Sequence, residues 1–137
     1  MEGFLTKTAQ AKSKPISGLE TVDESIKRYS GLTDQQGEVM LLMSFIPGER
    51  GMMDRAKKAW RRGDSETVWQ ITQRALHDVP SIAEREITRR NHNWIPKIDN
   101  YLQASDKSFV VVGAGHMGGP DGLLALLRQR GYKIEQL

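Results

Sequence analysis

Hydrophobic and polar positions follow two different periods along this chain. Between Val22 and Tyr101, apolar residues recur every three or four positions, as they do on helices with one face turned inward. Three short runs break that rhythm: Ile16–Leu19, Phe109–Val112 and Tyr132–Leu137. Each is bounded by glycine or polar residues and reads as a strand. The helical stretch carries its own punctuation. Thr21-x-x-Glu24 is a capping box, opening a helix that ends near Ser30-Gly31. Thr33-x-x-Gln36 opens a second, with Val39, Met43 and Ile46 on one face, and Pro47-Gly48 stops it. A shorter helix around Met52 to Trp60 aligns Met52, Ala56 and Ala59, and Arg62-Gly63-Asp64 breaks it. The next places Val68, Ile71 and Ala75 together and ends before Val79-Pro80. Ser81-x-x-Glu84 opens a long helix whose inner stripe is Ile87, Asn91, Trp94, Ile98 and Tyr101. Within it, Pro96 removes one ladder donor and predicts a kink.

The last 29 residues, from Phe109 on, are the most informative. An apolar, β-branched run enters the turn Gly113-Ala-Gly115-His116-Met-Gly118-Gly119. A helix follows, opened by Pro120 and closed by Gly131, and then a final strand. The predicted fold is therefore α/β: a small, mostly parallel sheet of about three strands, a multi-helix insertion between the first and second, and a closing β-α-β unit. Ligands gather at the carboxyl ends of strands in such sheets, which makes His116 a candidate ligand or base. Gly113-x-Gly115-x-x-Gly118 also spells the dinucleotide fingerprint, with Glu135 in the acidic slot. Against that reading, Pro120 starts the helix after the glycines instead of among them.

Bulk properties narrow the field. The 137 residues suit one domain, predicted over 13–137 behind a flexible, polar segment at 1–12. With 38% hydrophobic and 27% charged residues and a net charge of +3, the composition is that of an ordinary globular chain. Arg55, Lys57, Lys58, Arg61 and Arg62 cluster, but no nucleic-acid module accompanies them, so a nucleic-acid partner is not expected. The absence of cysteine excludes disulfides and thiolate metal sites. There is no signal-peptide core near Met1 and no apolar stretch long enough for a membrane span, so the cytoplasm is the expected compartment.

Three separated motifs carry a family resemblance. They are Lys14-Pro15-x-x-Gly18-Leu19-Glu20-Thr21, Arg90-Asn91-x-x-Trp94, and the run from Gly113-x-Gly115-His116 through Gly119-x-Asp121-Gly122-Leu123-Leu124 to Gly131-Tyr132. In this order they resemble the C-terminal half of the TraB/GumN family, which includes Tiki-type metalloproteases. The resemblance implies a divalent metal, bound by two histidines and a glutamate, that activates water for amide-bond hydrolysis. Here it implies His116 and Glu20 as catalytic and metal-binding candidates, and Arg90, Asn91, Gly113 and Gly115 as ligand-binding ones. The family's first Gly-x-x-His motif has no counterpart in residues 1–20, and Arg89 stands where many members carry Glu. One histidine and one carboxylate fall short of the three protein ligands usual for zinc.

Several residues support two readings. Asn91 either orients a ligand or the His116 imidazole, or ties its helix to a backbone carbonyl. Arg90 either pairs with Glu86 one turn before it or presents its guanidinium to a carboxylate or phosphate. Glu20 is a metal ligand or base, or else a helix N-terminal charge. By spacing, His77 and His92 are surface residues, and Trp60, Trp69 and Trp94 are packing residues. The Met-rich stretch from Met40 to Met53 is adaptable core or a partner face. The expected function is a non-catalytic binding or interaction module that forms a homodimer or pairs with a complementary chain. The alternative is a metal-dependent hydrolase completed by a partner.

Overall fold

The computed structural model describes residues 2–45, 51–105 and 107–137. Its elements in chain order are α1 (Glu2–Ala11), α2 (Val22–Ser30), α3 (Asp34–Phe45), α4 (Met52–Arg61), α5 (Ser65–Ala75), α6 (Pro80–Ala83), a π-helical turn (Glu84–Thr88), α7 (Arg89–Gln103), a 3₁₀ turn (Ala114–His116) and α8 (Leu123–Gln129). There is no strand among the described residues, so the α/β expectation is overturned: the protein is helical. The three segments read as strands are irregular, and none pairs with another. A β-branched run favours a sheet because it fits a pleated, half-buried surface, and here no neighbouring strand supplies one. Phe109 is 82% exposed, and only Val112 of its run packs against the core. The stretch before Glu20 is held by side chains of α7 instead: Tyr101 Oη lies 2.7 Å from Ser17 Oγ, and Lys97 Nζ donates to the Leu19 carbonyl at 2.7 Å.

The helical punctuation fares better. Both early capping boxes form reciprocally: Thr21 N–H donates to Glu24 Oε2 (2.6 Å) and Glu24 N–H to Thr21 Oγ1 (3.1 Å), with the equivalent pair at Thr33 and Gln36. The stop at Pro47-Gly48 lies outside the described residues, as does Ile46. The third box does not form. The long helix starts at Pro80, and Ser81 Oγ instead accepts from Gln36 Nε2 (3.2 Å), which joins α3 to α6. The polar start, expected to fray, is α1. Asp64, read only as a breaker, caps α5 by accepting from Thr67 N–H at 3.0 Å.

The core is small and lies where α7 meets α8. Trp94, Ile95 and Ile98 pack against Leu123 and Leu126, with Leu19, Val112, Met117 and Leu127 around them. Each fully buried aliphatic side chain contributes roughly 1.5–3 kcal/mol. The predicted stripe on α7 is observed: Asn91, Trp94 and Ile98 are buried, and Ile87 and Tyr101 are partly so. Pro96 lies inside α7. From Pro80 to Gln103 the chain is helical throughout, and the π turn widens it where Arg89 N–H reaches back five residues to the Glu84 carbonyl.

Pro120 does not open α8. The chain turns through Pro120-Asp121, and Gly122 is the N-cap. At the far end Gly131 (φ +87°) completes a Schellman motif: Tyr132 N–H donates to Leu127 O (3.1 Å) and Gly131 N–H to Arg128 O (2.9 Å). The glycine-rich turn packs on α5. Gly119 (φ +80°) lies against the Trp69 indole, and a side chain there would overlap the ring.

Truncating Ile95→Ala is expected to cost about 2–5 kcal/mol in urea denaturation, because the α7–α8 seam has few other buried contacts. A loss below 1 kcal/mol would mean the core lies elsewhere.

Candidate functional site

Four of the six residues singled out from sequence converge at the start of α7. The widened turn before Arg89 leads directly into Arg90 and Asn91 on adjoining positions, while the 3₁₀ turn brings His116 down onto them. Asn91 is fully buried and uses both ends of its amide. Its Nδ2 donates to the carbonyls of His116 (3.2 Å) and Asp121 (2.7 Å), and its Oδ1 lies 2.8 Å from His116 Nδ1. Since Nδ2 is the donor, Oδ1 must accept, so His116 carries its proton on Nδ1. Asn91 thus fills both roles anticipated for it, orienting the imidazole and tying its helix to backbone carbonyls.

The Nε2 lone pair of His116 faces Arg90 Nη1 at 3.4 Å. Arg90 spans the gap to Glu20, donating from Nε to Oε1 (2.7 Å) and from Nη2 to Oε2 (3.2 Å), and its Nη1 also donates to the Glu86 carbonyl (3.2 Å). The side-chain ion pair expected between Arg90 and Glu86 is replaced by this backbone contact. Glu86 lies instead 3.6 Å from Arg28 Nε, and Arg28 Nη1 donates to Glu20 at 3.2 Å. The Trp94 ring packs against both groups, 4.6 Å from the His116 ring and 4.7 Å from the Arg90 guanidinium carbon.

These surroundings decide protonation. Burial pushes the His116 imidazole down, and the Arg90 charge adds to that against a partial counter-effect from Glu20; its pKa falls to about 4. Burial opposes ionisation of Glu20. The hydrogen bonds and charge of Arg90, together with Arg28, outweigh it and hold that pKa below the usual carboxylate value. At neutral pH the site is a neutral imidazole beside an ionised, doubly paired carboxylate.

Gly113 and Gly115 shape the loop. Gly113 O accepts from His116 N–H (3.0 Å), and Gly115 lies close over Thr72 of α5. His77 is on the surface. His92 is exposed too, but its Nε2 lies 3.1 Å from Asp121 Oδ1. Trp94 is buried, whereas Trp60 is largely exposed, contrary to the packing role expected of it. Sequence reasoning missed Arg28, Glu86 and Lys97 as site residues. One signal was available for Lys97: it stands at i+7 from Arg90, on the same face of α7, and meets the Leu19 carbonyl and the Glu24 carboxylate on either side of Glu20.

The resemblance implies a divalent metal at this site. Among the described residues, His116 Nε2 and the Glu20 carboxylate are the donors that the resemblance implies, and the Arg90 guanidinium lies between them and bonds to both. No group of three His, Cys, Asp or Glu residues able to hold a metal occurs among the described residues. In this arrangement the residues do not fit a resident metal. Beside this site, Arg28 Nε meets Glu86 only at ion-pair distance, and the buried Glu86 Oε1 has no hydrogen-bond partner among the described residues. A surface cleft of about 240 Å³ between α3 and α6 and another beside Leu76 and Glu84 do not reach the site.

Fold and site together define a small helical protein built around a buried Asn–His–Arg–Glu junction. The chain belongs to the TraB/PrgY/gumN family, whose model matches residues 1–136. No curated protein and no solved structure matches it. No helix of the described residues is long and apolar enough to cross a membrane.

Asn91→Ala leaves the His116 Nδ1–H and two carbonyls without their partner and is expected to cost about 2–4 kcal/mol, while the exposed His92→Ala stays within about 0.5. Thermal melts of the two variants compare them directly. His116 gives a pH signature. Its folded pKa lies below 6.5, so the unfolded chain takes up the proton first on acidification. Its contribution, on the order of 3 kcal/mol, is therefore complete above pH 6.5 and lost as pH falls toward 4. Glu20 adds a further loss below about 4.5. Denaturation across this range should show the first slope in the parent and not in His116→Gln.

Proposed function

We propose that this chain is a non-catalytic binding or interaction module, and that another polypeptide, in the simplest case a second copy, covers its apolar surface. The observation that carries this reading is the inverted polarity of α2. Arg28 on that helix is turned inward, its side chain only 14% exposed, where it meets Glu20 and Glu86. Val22, Ile26 and Tyr29, at i, i+4 and i+7, form a stripe on the solvent side, with Val22 75% exposed. Leu41, Leu42 and Phe45 on α3 are exposed as well. Monomeric proteins rarely leave such stripes uncovered. Analytical ultracentrifugation should give a dimer at micromolar concentration that weakens in Ile26→Glu. A strict monomer with an unaltered variant would overturn the reading.

A second reading is a metal-dependent hydrolase of amide bonds, competent only when a partner supplies further ligands and draws Arg90 aside. The buried Glu86 Oε1 favours it, because it is a carboxylate oxygen with no hydrogen-bond partner in the cluster that Arg28 shares with Glu20. Calorimetric titration with Zn²⁺, Mn²⁺ and Co²⁺, beside His116→Ala, tests it. Binding that the variant loses supports the hydrolase, and no binding in any assembly rules it out.

A further inference from the structure

We propose that α4 is a docking face for an anionic phospholipid surface. From Asp54 to Asp64 the chain carries five cations and two acids, a net +3. The whole chain has 20 basic and 17 acidic residues, also +3, so everything outside this stretch is balanced, 15 against 15. The net positive charge of the protein is thus concentrated on one short helix and its end.

The helix is also oriented. Ala59 is fully buried, with Met52 and Ala56 partly covered beside it, and this face packs on α5. At 100° per residue, Met53 and Trp60 stand together on the adjoining flank, and Lys57 and Arg61 follow next around the helix. Trp60 is 52% exposed, and Met53 is more so. The acids do little to neutralise the cations: Lys57 lies 4.0 Å from Asp54 and Arg62 3.7 Å from Asp64, both pairs on the surface. An exposed tryptophan and methionine bordered by lysine and arginine match a helix lying in a bilayer interface, its ring at headgroup depth and its cations on lipid phosphates.

Charge alone would serve a nucleic acid equally well. The apolar flank favours lipid: Trp60 alone could stack on an unpaired base, but Met53 beside it gains by leaving water where the partner has an apolar interior beneath its charge. This inference is independent of the proposed pairing through α2. Through α5, which packs on both α4 and the His116 turn, docking would fix how the buried junction faces the membrane.

The test is cosedimentation with phosphatidylcholine vesicles with and without about 30% phosphatidylserine, read also by tryptophan emission. Binding is expected only with the anionic lipid, weakening as salt rises, with a blue shift that Trp60→Phe abolishes. Replacing Lys57, Lys58 and Arg61 by glutamine should weaken binding about fivefold per cation. All four positions are exposed, so an unchanged circular dichroism spectrum will show that the fold persists. No binding at low salt, equal binding to pure phosphatidylcholine, or full binding by the triple variant would overturn the proposal. So would a single-stranded RNA that displaces the vesicles while Trp60 emission stays unshifted, which would make α4 a nucleic-acid site.

Discussion

The Asn91 side chain holds the rest of the structure in register. A carboxamide shielded from solvent must find partners for both its donor hydrogens and its carbonyl, and Asn91 finds all of them on the loop between Gly113 and Asp121. One residue of α7 thereby fixes the backbone at two points and sets the tautomer of His116. Leu123 and Leu126 then fall onto Trp94, Ile95 and Ile98, and the small core closes. The polar contacts specify the geometry; the apolar seam stabilises it.

Electrostatics extends the same junction outward. Glu20 lies in a linker with no regular structure, and two arginines from different helices converge on it. A carboxylate shared between guanidiniums ties α2 and α7 together without needing a hydrophobic interface between them. That explains how α2 can turn its apolar stripe to solvent and remain attached. His116 is neutral for a different reason: burial disfavours its charged form, and the adjoining Arg90 cation acts in the same direction, against the Glu20 carboxylate. The π turn immediately before Arg89 places Arg90 and Asn91 on facing sides of this arrangement, one toward Glu20 and the other toward the loop.

The three segments of strand-like composition illustrate the limit of local pattern. Phe109–Val112 has the composition of a buried strand, yet its side chains are largely exposed. Composition reports what a segment would favour next to a partner strand; it cannot report that no partner is there. Helices do not share this dependence, since their hydrogen bonds close within the segment. Hence the capping boxes at Thr21 and Thr33, the α7 stripe and the Gly131 terminator were legible, while the sheet expected from equally clear patterning does not form.

The same division runs through the site. Residue type and spacing, which are local properties, marked His116 in its glycine-rich turn and Asn91 on an apolar helical stripe, and the family resemblance added weight to Arg90 and Glu20. Only the tertiary structure decided how they are used. It placed the Arg90 guanidinium between Glu20 and His116, brought in Arg28 from a position without local signal, turned the Glu86 carboxylate to Arg28 instead of Arg90, and set α2 so that its charge faces inward. These outcomes depend on which charges meet across as many as 70 residues of chain. Coulomb attraction and burial act on distance in space, and spacing along the sequence does not encode it.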